Sequence, residues 1–531
     1  MNKLFYKRGE PFIWATGASL TLILVMTVTL VWVVLSHGIG VFWPAQLELV
    51  TLTDGSTILG QRMQKELTPA GKERIQYKIG NRDLYGLDFR WIESEHVASI
   101  SLPEEAVAIE RREYGNFHGF LQEIRLADIS VGDGTPWQRL QQALPVVATR
   151  QHAVSAVTDN ITTVNVRMAK IDQRIAKLRY QGVGENDPNM QGLAAERQTL
   201  HEEFSAIVAE RNALTAALAG NLAVFADTNG RTREIALDDI VRVYRPNVMG
   251  PAAKIRHYGA RVWEFFSANP RESNTEGGLF PAIFGTVMLV LLMSILSFPL
   301  GVIAGIYLRE YAKEGIIVRL VRIAVNNLAG IPSIVYGIFG LGFFVYGIGS
   351  GIDQIFFPER LPTPTFGTGG ILWASLTLGL LTVPVVIVAT EEALGAIPGG
   401  IREGSLALGA TKFQTLYKLL VPMASPGIMT GFILAMARAA GEVAPLMITG
   451  VVKLAPTLPL DGNFPYLHFD RKFMHLGFHI YDIGFQSPNV EAAKPMVFVT
   501  TLLLLLIVIL MSSTAIILRN RMKRKYSLGS V

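Results

Sequence analysis

The 531-residue sequence has no cysteine. Disulfides, thiolate metal sites and cysteine nucleophiles are therefore excluded. It also has no Gly-x-x-x-x-Gly-Lys-Ser/Thr run, the loop that cradles nucleotide phosphates. ATP chemistry can reach this chain only through a partner. A His-Glu-x-x-His zinc helix is missing as well. His475 and His479 stand four apart without the glutamate, and with His468 they read as interfacial residues of an aromatic loop, not metal ligands. Charged residues make up only 17% of the chain, and the net charge of +5 is modest. Basic residues gather beside apolar runs, where membrane topology wants them, so nothing points to nucleic acid.

What is abundant is apolar. Half of the residues are hydrophobic and the mean hydropathy is +0.34, values of a multi-span membrane protein with a polar domain. Phe12 to Leu35 is nearly all apolar and follows Lys3, Lys7 and Arg8. A cleaved signal peptide competes for this stretch. The run exceeds an ordinary signal core and no clear small-x-small cleavage site follows it before Pro44, which favours a retained span. Further spans are expected at 280–308, 326–348, 371–390, 425–452 and 496–518, about six in all. Gly330-Ile331-Pro332-Ser333 interrupts the third, marking either a kink or a stretch that lines a path. The tail carries Arg519, Arg521, Lys523, Arg524 and Lys525. With both basic termini inside, an even number of spans leaves 309–322 and 391–422 inside and 453–494 outside.

Residues 38–275 are polar and contain no spanning segment. Leu47 to Thr53 before Asp54-Gly55, and Ile75 to Ile79 before Gly80-Asn81, read as strands. Strand-like pieces return at 223–226 and 240–244, so one β-rich module is expected that the chain leaves and re-enters. The insertion, 152–218, reads as a coiled-coil hairpin. Val154, Val157, Ile161, Val164, Met168, Ile171, Ile175 and Leu178 alternate steps of three and four. Leu193, Leu200, Phe204, Ile207, Leu214 and Leu218 resume the stripe after Gly182, Gly184 and Pro188. The short connection favours pairing within one chain.

Two stretches carry function. The first lies between spans and is too charged to enter a bilayer. Pro398-Gly399-Gly400 breaks the preceding helix, and Ile401 to Leu408 forms a short helix with Ile401, Ser405 and Leu408 on one face. Gly409 stops it, Thr411 and Gln414 form a capping box, and Phe413, Leu416, Tyr417 and Leu420 line a second helix that Pro422 and Pro426 end. The bland reading is an amphipathic hairpin packed on its own bundle. The second stretch is Arg438 and Glu442, four apart near the middle of the fifth span. A charge there costs at least about 2.5–3.5 kcal/mol and faces a bundle interior or a watery path. Arg438 either lines an anion path, with Glu442 as counter-charge or gate, or the pair stitches helices together.

The charged loop resembles the coupling loop of ABC importer permeases: Glu-Ala-Ala, three residues, Gly, nine residues, Ile-x-Leu-Pro. Glu403, Gly409 and Pro422 keep that spacing, with Gly404-Ser405 replacing the two alanines. Within that superfamily, Asn327-Leu-Ala-Gly-Ile-Pro-Ser333-Ile-Val-Tyr-Gly-Ile338 and Arg438-Ala-Ala-Gly-Glu442-Val-Ala-Pro-Leu446 resemble the A-type permease of phosphate importers. The resemblance implies an α-helical polytopic protein with a type I ABC importer permease core; the large extracytoplasmic α+β domain, read from its own strand and heptad patterns, departs from the compact six-span pattern of that family. The expected domains are 1–37 (tail and first span), 38–275 (periplasmic domain), 276–520 (permease with coupling loop 391–422) and 521–531 (basic tail). The resemblance further implies that Glu403, Gly404, Ser405, Gly409 and Pro422 couple to an ATPase; Arg438, Glu442 and Ser333, from their own charge and broken-helix chemistry, are the candidates to border the path. No cofactor belongs to this chain, since ATP and Mg sit on the partner ATPase. Expected partners are a second related permease, a cytoplasmic ATPase dimer, an extracytoplasmic phosphate-binding protein and membrane lipid. The expected location is the bacterial inner membrane, with both termini cytoplasmic. The rival readings are a permease for another oxyanion or small solute, and a membrane-anchored sensor. A sensor needs a cytoplasmic output domain, which the short tail after the last span does not provide.

Overall fold

The computed structural model describes residues 9–69, 71–271, 276–487 and 490–526. Lys3, Lys7 and Arg8, which support an inward N-terminus, lie outside the described residues. The chain opens with α1, Glu10–Ile39, apolar on every side. None of its most apolar window is buried, against 67% for the most enclosed span. α1 touches the rest through its last turns, where His37 stacks on Phe498 and Gly38 lies against Leu502.

The polar region holds two five-stranded antiparallel sheets where one module was expected. β1 (Leu47–Leu52), β2 (Thr57–Leu67), β3 (Glu73–Lys78), β4 (Phe89–Glu93) and β5 (Val97–Ser101) pair in the order β4-β3-β2-β1-β5. β6 (Ala106–Arg111), β7 (Asn116–Arg125), β8 (Leu222–Ala226), β9 (Thr232–Ala236) and β10 (Ile240–Tyr244) pair as β10-β6-β7-β8-β9. The second sheet is the one the chain leaves and re-enters, because β7 lies beside β8 across the insertion.

The insertion is α2 (Pro136–Tyr180) followed by α3 (Pro188–Leu218). Asp172 pairs with Arg197 at 2.7 Å and Glu203 with Arg167 at 3.6 Å, so the two helices run antiparallel. α2 starts well before the heptad stripe, at a Thr135–Gln138 capping box. Its first turns bury Leu140, Ala143 and Val147 against Phe117 and Phe225 of the sheet. The stripe begins only where the helix leaves that sheet, which is why its spacing marks a shorter element.

α4 (Pro251–Ser267) leads from this domain towards the membrane core. Glu110 of β6 receives Arg242 at 2.9 Å and Arg261 at 2.8 Å, while Glu264 of α4 holds Arg271. Burial pushes the Glu264 carboxyl up, but Arg271, Arg261 and Arg242 outweigh it and hold it below the ordinary glutamate value. A buried network of this kind is destabilised strongly when one partner is removed.

The remaining helices form a bundle, and among the described residues six helices in all are long and apolar enough to cross a membrane. They are α1, α5 (Phe280–Tyr311), α7 (Ser333–Phe356), α8 (Ile371–Gly395), α10 (Lys412–Gly441) and α13, which runs through Val490–Tyr526. The short α6 (Ile316–Leu328), α9 (Gly399–Ala407), α11 (Ala444–Thr449) and α12 (Leu476–Tyr481) connect them. α8 is the central helix. Gly301 and Gly305 of α5 approach it at Val386 and Thr390, where an added Cβ would lie 2.8 and 2.7 Å away. Gly427 and Gly431 of α10 approach its other side at Ala393 and Ala389, at 2.6 and 2.5 Å. Small residues four apart let helix backbones close up in this way.

Three expectations need correction. The third span is Ser333–Phe356, and 326–328 belongs to the separate amphipathic α6. Pro422 and Pro426 do not end a helix, because α10 runs from Lys412 to Gly441 through a π turn at Leu416–Leu420. Pro426 leaves the Pro422 carbonyl without its helical donor, and the Ser425 hydroxyl donates to it at 2.7 Å instead. His475 and His479 are not exposed loop residues: both are buried, His475 at the N-cap of α12 and His479 within it. Burial pushes each of them down to about 4. Among the described residues no cluster of three metal-ligating side chains forms.

Candidate translocation and coupling sites

The bundle has two ends. α1 finishes, and α5, α8 and α13 begin, at the end that bears the polar domain; Gln76 of β3 reaches Glu491 there at 2.7 Å. The 396–411 segment lies at the opposite end. Its α9 is held by Arg402, whose guanidinium pairs with Glu310 at 2.9 Å and donates to the carbonyls of Leu394 (2.6 Å) and Ile397 (2.8 Å). Leu394 lies in the last turn of α8 and Ile397 just beyond its C-cap, so one arginine braces that end of α8 and ties α9 to α5. Beside it Arg322 of α6 pairs with Glu391 at 3.1 Å.

Gly409 adopts φ +85°, a left-handed turn that closes α9 without Cβ strain. Thr411 and Gln414 form the capping box that opens α10. Ser405 and Thr415 join the two helices, hydroxyl to hydroxyl, at 2.9 Å. The expected apolar stripe divides. Leu416 and Leu420 are buried with Leu394, Ala424 and Ile428, whereas Phe413 and Tyr417 project outward and stack with centroids 6.1 Å apart. Leu408 is 91% exposed, so it does not join Ile401 on a packed face. Glu403 and Gly404 are exposed too, and among the described residues Glu403 has no ion pair. Pro422 sits at the first turn after the π segment, half-buried and away from this surface. The result is a firmly held loop with a carboxylate and three large apolar side chains facing away from the bundle.

The second site forms where two helices break. α10 stops at Gly441, and Glu442 adopts extended backbone before α11 begins. Arg438 and Glu442 therefore sit at a helix end, not within a longer span, and their contact is local, Nε to Oε1 at 3.4 Å. It joins no second helix. Among the described residues the outer guanidinium nitrogens of Arg438 make no hydrogen bond, and the side chain is 33% exposed. Across from it α7 starts after its own break at Ala329–Pro332, with Ser333 in the first turn. Gly337 packs on Pro445, where a Cβ would lie 2.8 Å from the backbone, and Arg438 acts electrostatically on Tyr336. The 327–338 and 438–446 strings, far apart in sequence, thus meet.

Their depth follows from packing register. Gly431 faces Ala389 and Gly427 faces Ala393, which extrapolates to Arg438 level with Thr382. Gly340 faces Thr377, which extrapolates to Ser333 level with Pro384. Both levels are the middle of α8. A guanidinium with free donors and a helix N-terminus, brought together at that depth, can bind an anion by charge and by hydrogen bonds. Sequence reasoning missed Arg402, Glu310, Tyr336 and the Gly337–Pro445 contact. The one available signal was a charged residue on each side of the third span.

The profile of the family described as "Binding-protein-dependent transport system inner membrane component" matches residues 297–524. A probable phosphate transport system permease protein PstA from Methanocaldococcus jannaschii is 36% identical over 197 residues, 36% of this chain and 63% of that protein. The chain therefore spans under two thirds of that relative. A probable ABC transporter permease protein, YqgI of Bacillus subtilis, is 30% identical over 237 residues, 43% of this chain and 74% of that protein. A solved structure of the MetNI methionine ABC transporter aligns at 20% identity and a TM-score of 0.34, over 47% of this chain and 96% of that one, a likeness that carries no argument. On the family match and the YqgI relative, the chain belongs to the binding-protein-dependent transport system inner membrane components, the permeases of type I ABC importers.

Proposed function

We propose that this chain is the permease subunit of an ATP-driven importer that carries inorganic phosphate across the cytoplasmic membrane. The observation that carries the reading is Arg438. It is an arginine level with the middle of α8, with unbonded donors, acting electrostatically on Tyr336 of α7 and with Glu442 as its only ion-pair partner among the described residues. A tetrahedral oxyanion suits that combination, and the PstA-named relatives make phosphate the first anion to test.

Coupling would run through the far end. Glu403, Leu408, Phe413 and Tyr417 form the surface an ATPase would grip. Arg402 would pass the motion to α5 and α8 through Glu310 and the Leu394 carbonyl. ATP and Mg would sit on that partner. The basic residues Arg309, Lys313, Arg319, Lys412 and Lys418 lie at the same end and favour a cytoplasmic face for it. Both termini would then be cytoplasmic and the 38–275 domain extracytoplasmic, with α2 and α3 as its coiled-coil hairpin. A second permease, an ATPase dimer and an extracytoplasmic phosphate-binding protein would complete the importer. Ile316, Ile317 and Leu320 of α6 are exposed apolar surface for the partner permease or lipid.

The test is radiolabelled phosphate uptake by an assembled complex carrying Arg438→Gln. The reading expects uptake to fall at least about tenfold, the scale of a lost charge-assisted hydrogen bond. Normal phosphate uptake would remove Arg438 from the path, and selective loss of another oxyanion would reassign the substrate.

A further inference from the structure

The two sheets of the polar domain meet along a seam, and the seam contains a cleft of about 250 Å³. Its floor is the β7 residue His118, which has no solvent exposure and no hydrogen-bond partner on either ring nitrogen. The carbonyls of Lys78 and Ile79 lie near the ring without hydrogen-bond geometry. Unpaired polar atoms buried this deeply are uncommon, and each requires an occupant or an explanation. The walls are apolar: Ile58 and Leu59 of β2, Ile79 after β3, and Leu87 at the rim. On one side Tyr85 donates to Asp227, which also receives the backbone N–H groups of Asn229 and Arg231 at 2.8 Å each, so that carboxylate is already satisfied. At the mouth stands Arg90, exposed, with no ion pair within 4 Å among the described residues and with the Asp54 carboxylate in electrostatic reach.

Both sheets hold this geometry open. Asn81 spans the seam, donating to the His118 carbonyl at 2.8 Å and accepting its N–H at 2.7 Å. Thr57 and Thr228 exchange hydroxyl-to-carbonyl bonds at 3.4 and 3.0 Å. The backbone of His118 is therefore fixed while its ring remains unpaired.

We propose that the seam is a binding site for a small hydroxylated carboxylate with an apolar body, its carboxylate at Arg90 and its hydroxyl end towards His118. At this volume the ligand has about ten non-hydrogen atoms, below the drug-sized range. The apolar walls disfavour phosphate itself, which would leave its oxygens without donors there. The site is distinct from the membrane path. It bridges a sheet tied to α13 through Gln76–Glu491 and a sheet tied to α4 through Glu110–Arg261.

The experiment uses the full chain in lipid nanodiscs, with 4-hydroxybenzoate and 6-hydroxyhexanoate as probes and benzoate, benzamide and inorganic phosphate as controls, followed by ligand-observed NMR. Saturable binding of at least one hydroxylated carboxylate, weakened about tenfold or more by Arg90→Gln and by the cleft-filling Leu87→Trp, is the expected result. Both variants sit at the rim, where folding is spared, and near-ultraviolet dichroism checks that they fold. No saturable binding of either hydroxylated carboxylate up to about 10 mM, the weak end of small-ligand affinity, would overturn the proposal. So would benzoate or benzamide binding as well as 4-hydroxybenzoate, or binding indifferent to both substitutions.

Discussion

At the residue scale, exposure separates recognition from folding. Glu403 touches nothing that holds the bundle together, so Glu403→Ala should change thermal stability by no more than about 0.5 kcal/mol. The same variant should lose ATP-driven uptake in the assembled importer. Calorimetry together with uptake checks both halves, and a variant that transports normally would take Glu403 out of the coupling surface. Gly409 behaves in the opposite way. Its φ of +85° makes Gly409→Val cost about 1–2 kcal/mol of local backbone strain, visible as faster proteolysis of the 396–411 loop. Glu403, Gly409 and Pro422 are legible in the sequence because motif spacing alone marks them. Arg402 is not, since a guanidinium that braces a neighbouring helix has no spacing signature. Glu442 is misjudged for a related reason: four-residue spacing implies one continuous helix, and a helix that stops between the two residues gives the same spacing.

At the scale of elements, hydropathy finds every span but not every boundary. α7 begins at Ser333 because Pro332 and the break at Ala329–Pro332 set its start, whereas an averaged apolar window runs across that break into α6. α10 is read as two pieces because Pro422 and Pro426 are helix breakers by local rule. A π turn and the Ser425 hydroxyl override that rule, and neither can be seen without the neighbouring carbonyls. The sheets were half legible. Turn residues expose β1 and β3, while the largely buried β6 lacks alternation because both of its faces are covered. Packing around α8 gives a sharper expectation. Gly431→Leu should prevent α10 from closing on Ala389, lowering stability by about 1–3 kcal/mol through overpacking. A thermal melt of the purified chain checks it, and an unshifted melt would contradict the close approach.

At the scale of the whole molecule, a polar domain and a membrane core are joined by a hydrogen bond from Gln76 to Glu491 and by apolar packing of Phe42 and Phe265, and pH acts on the polar domain. His118 is buried neutral, its value pushed down to about 3 by burial, with the Lys78 charge adding to the effect. An unfolded histidine takes a proton near its ordinary value, so the folded domain is favoured above that pH. It loses stability as pH falls from about 6.5 towards 3, by about 1.4 kcal/mol per unit. His118→Phe should flatten that slope in acid denaturation of the polar domain, and an unchanged slope would assign it to other groups. The membrane core carries the central claim, that a mid-depth arginine beside a broken helix serves phosphate import. Its most direct test is phosphate uptake at micromolar concentration in cells lacking this chain and every other phosphate importer, then restored with it. The account predicts loss of uptake without the chain, rescue with it, and sulfate uptake unchanged throughout. Phosphate uptake that is indifferent to the chain would contradict it, leaving a permease of this family whose anion is another one.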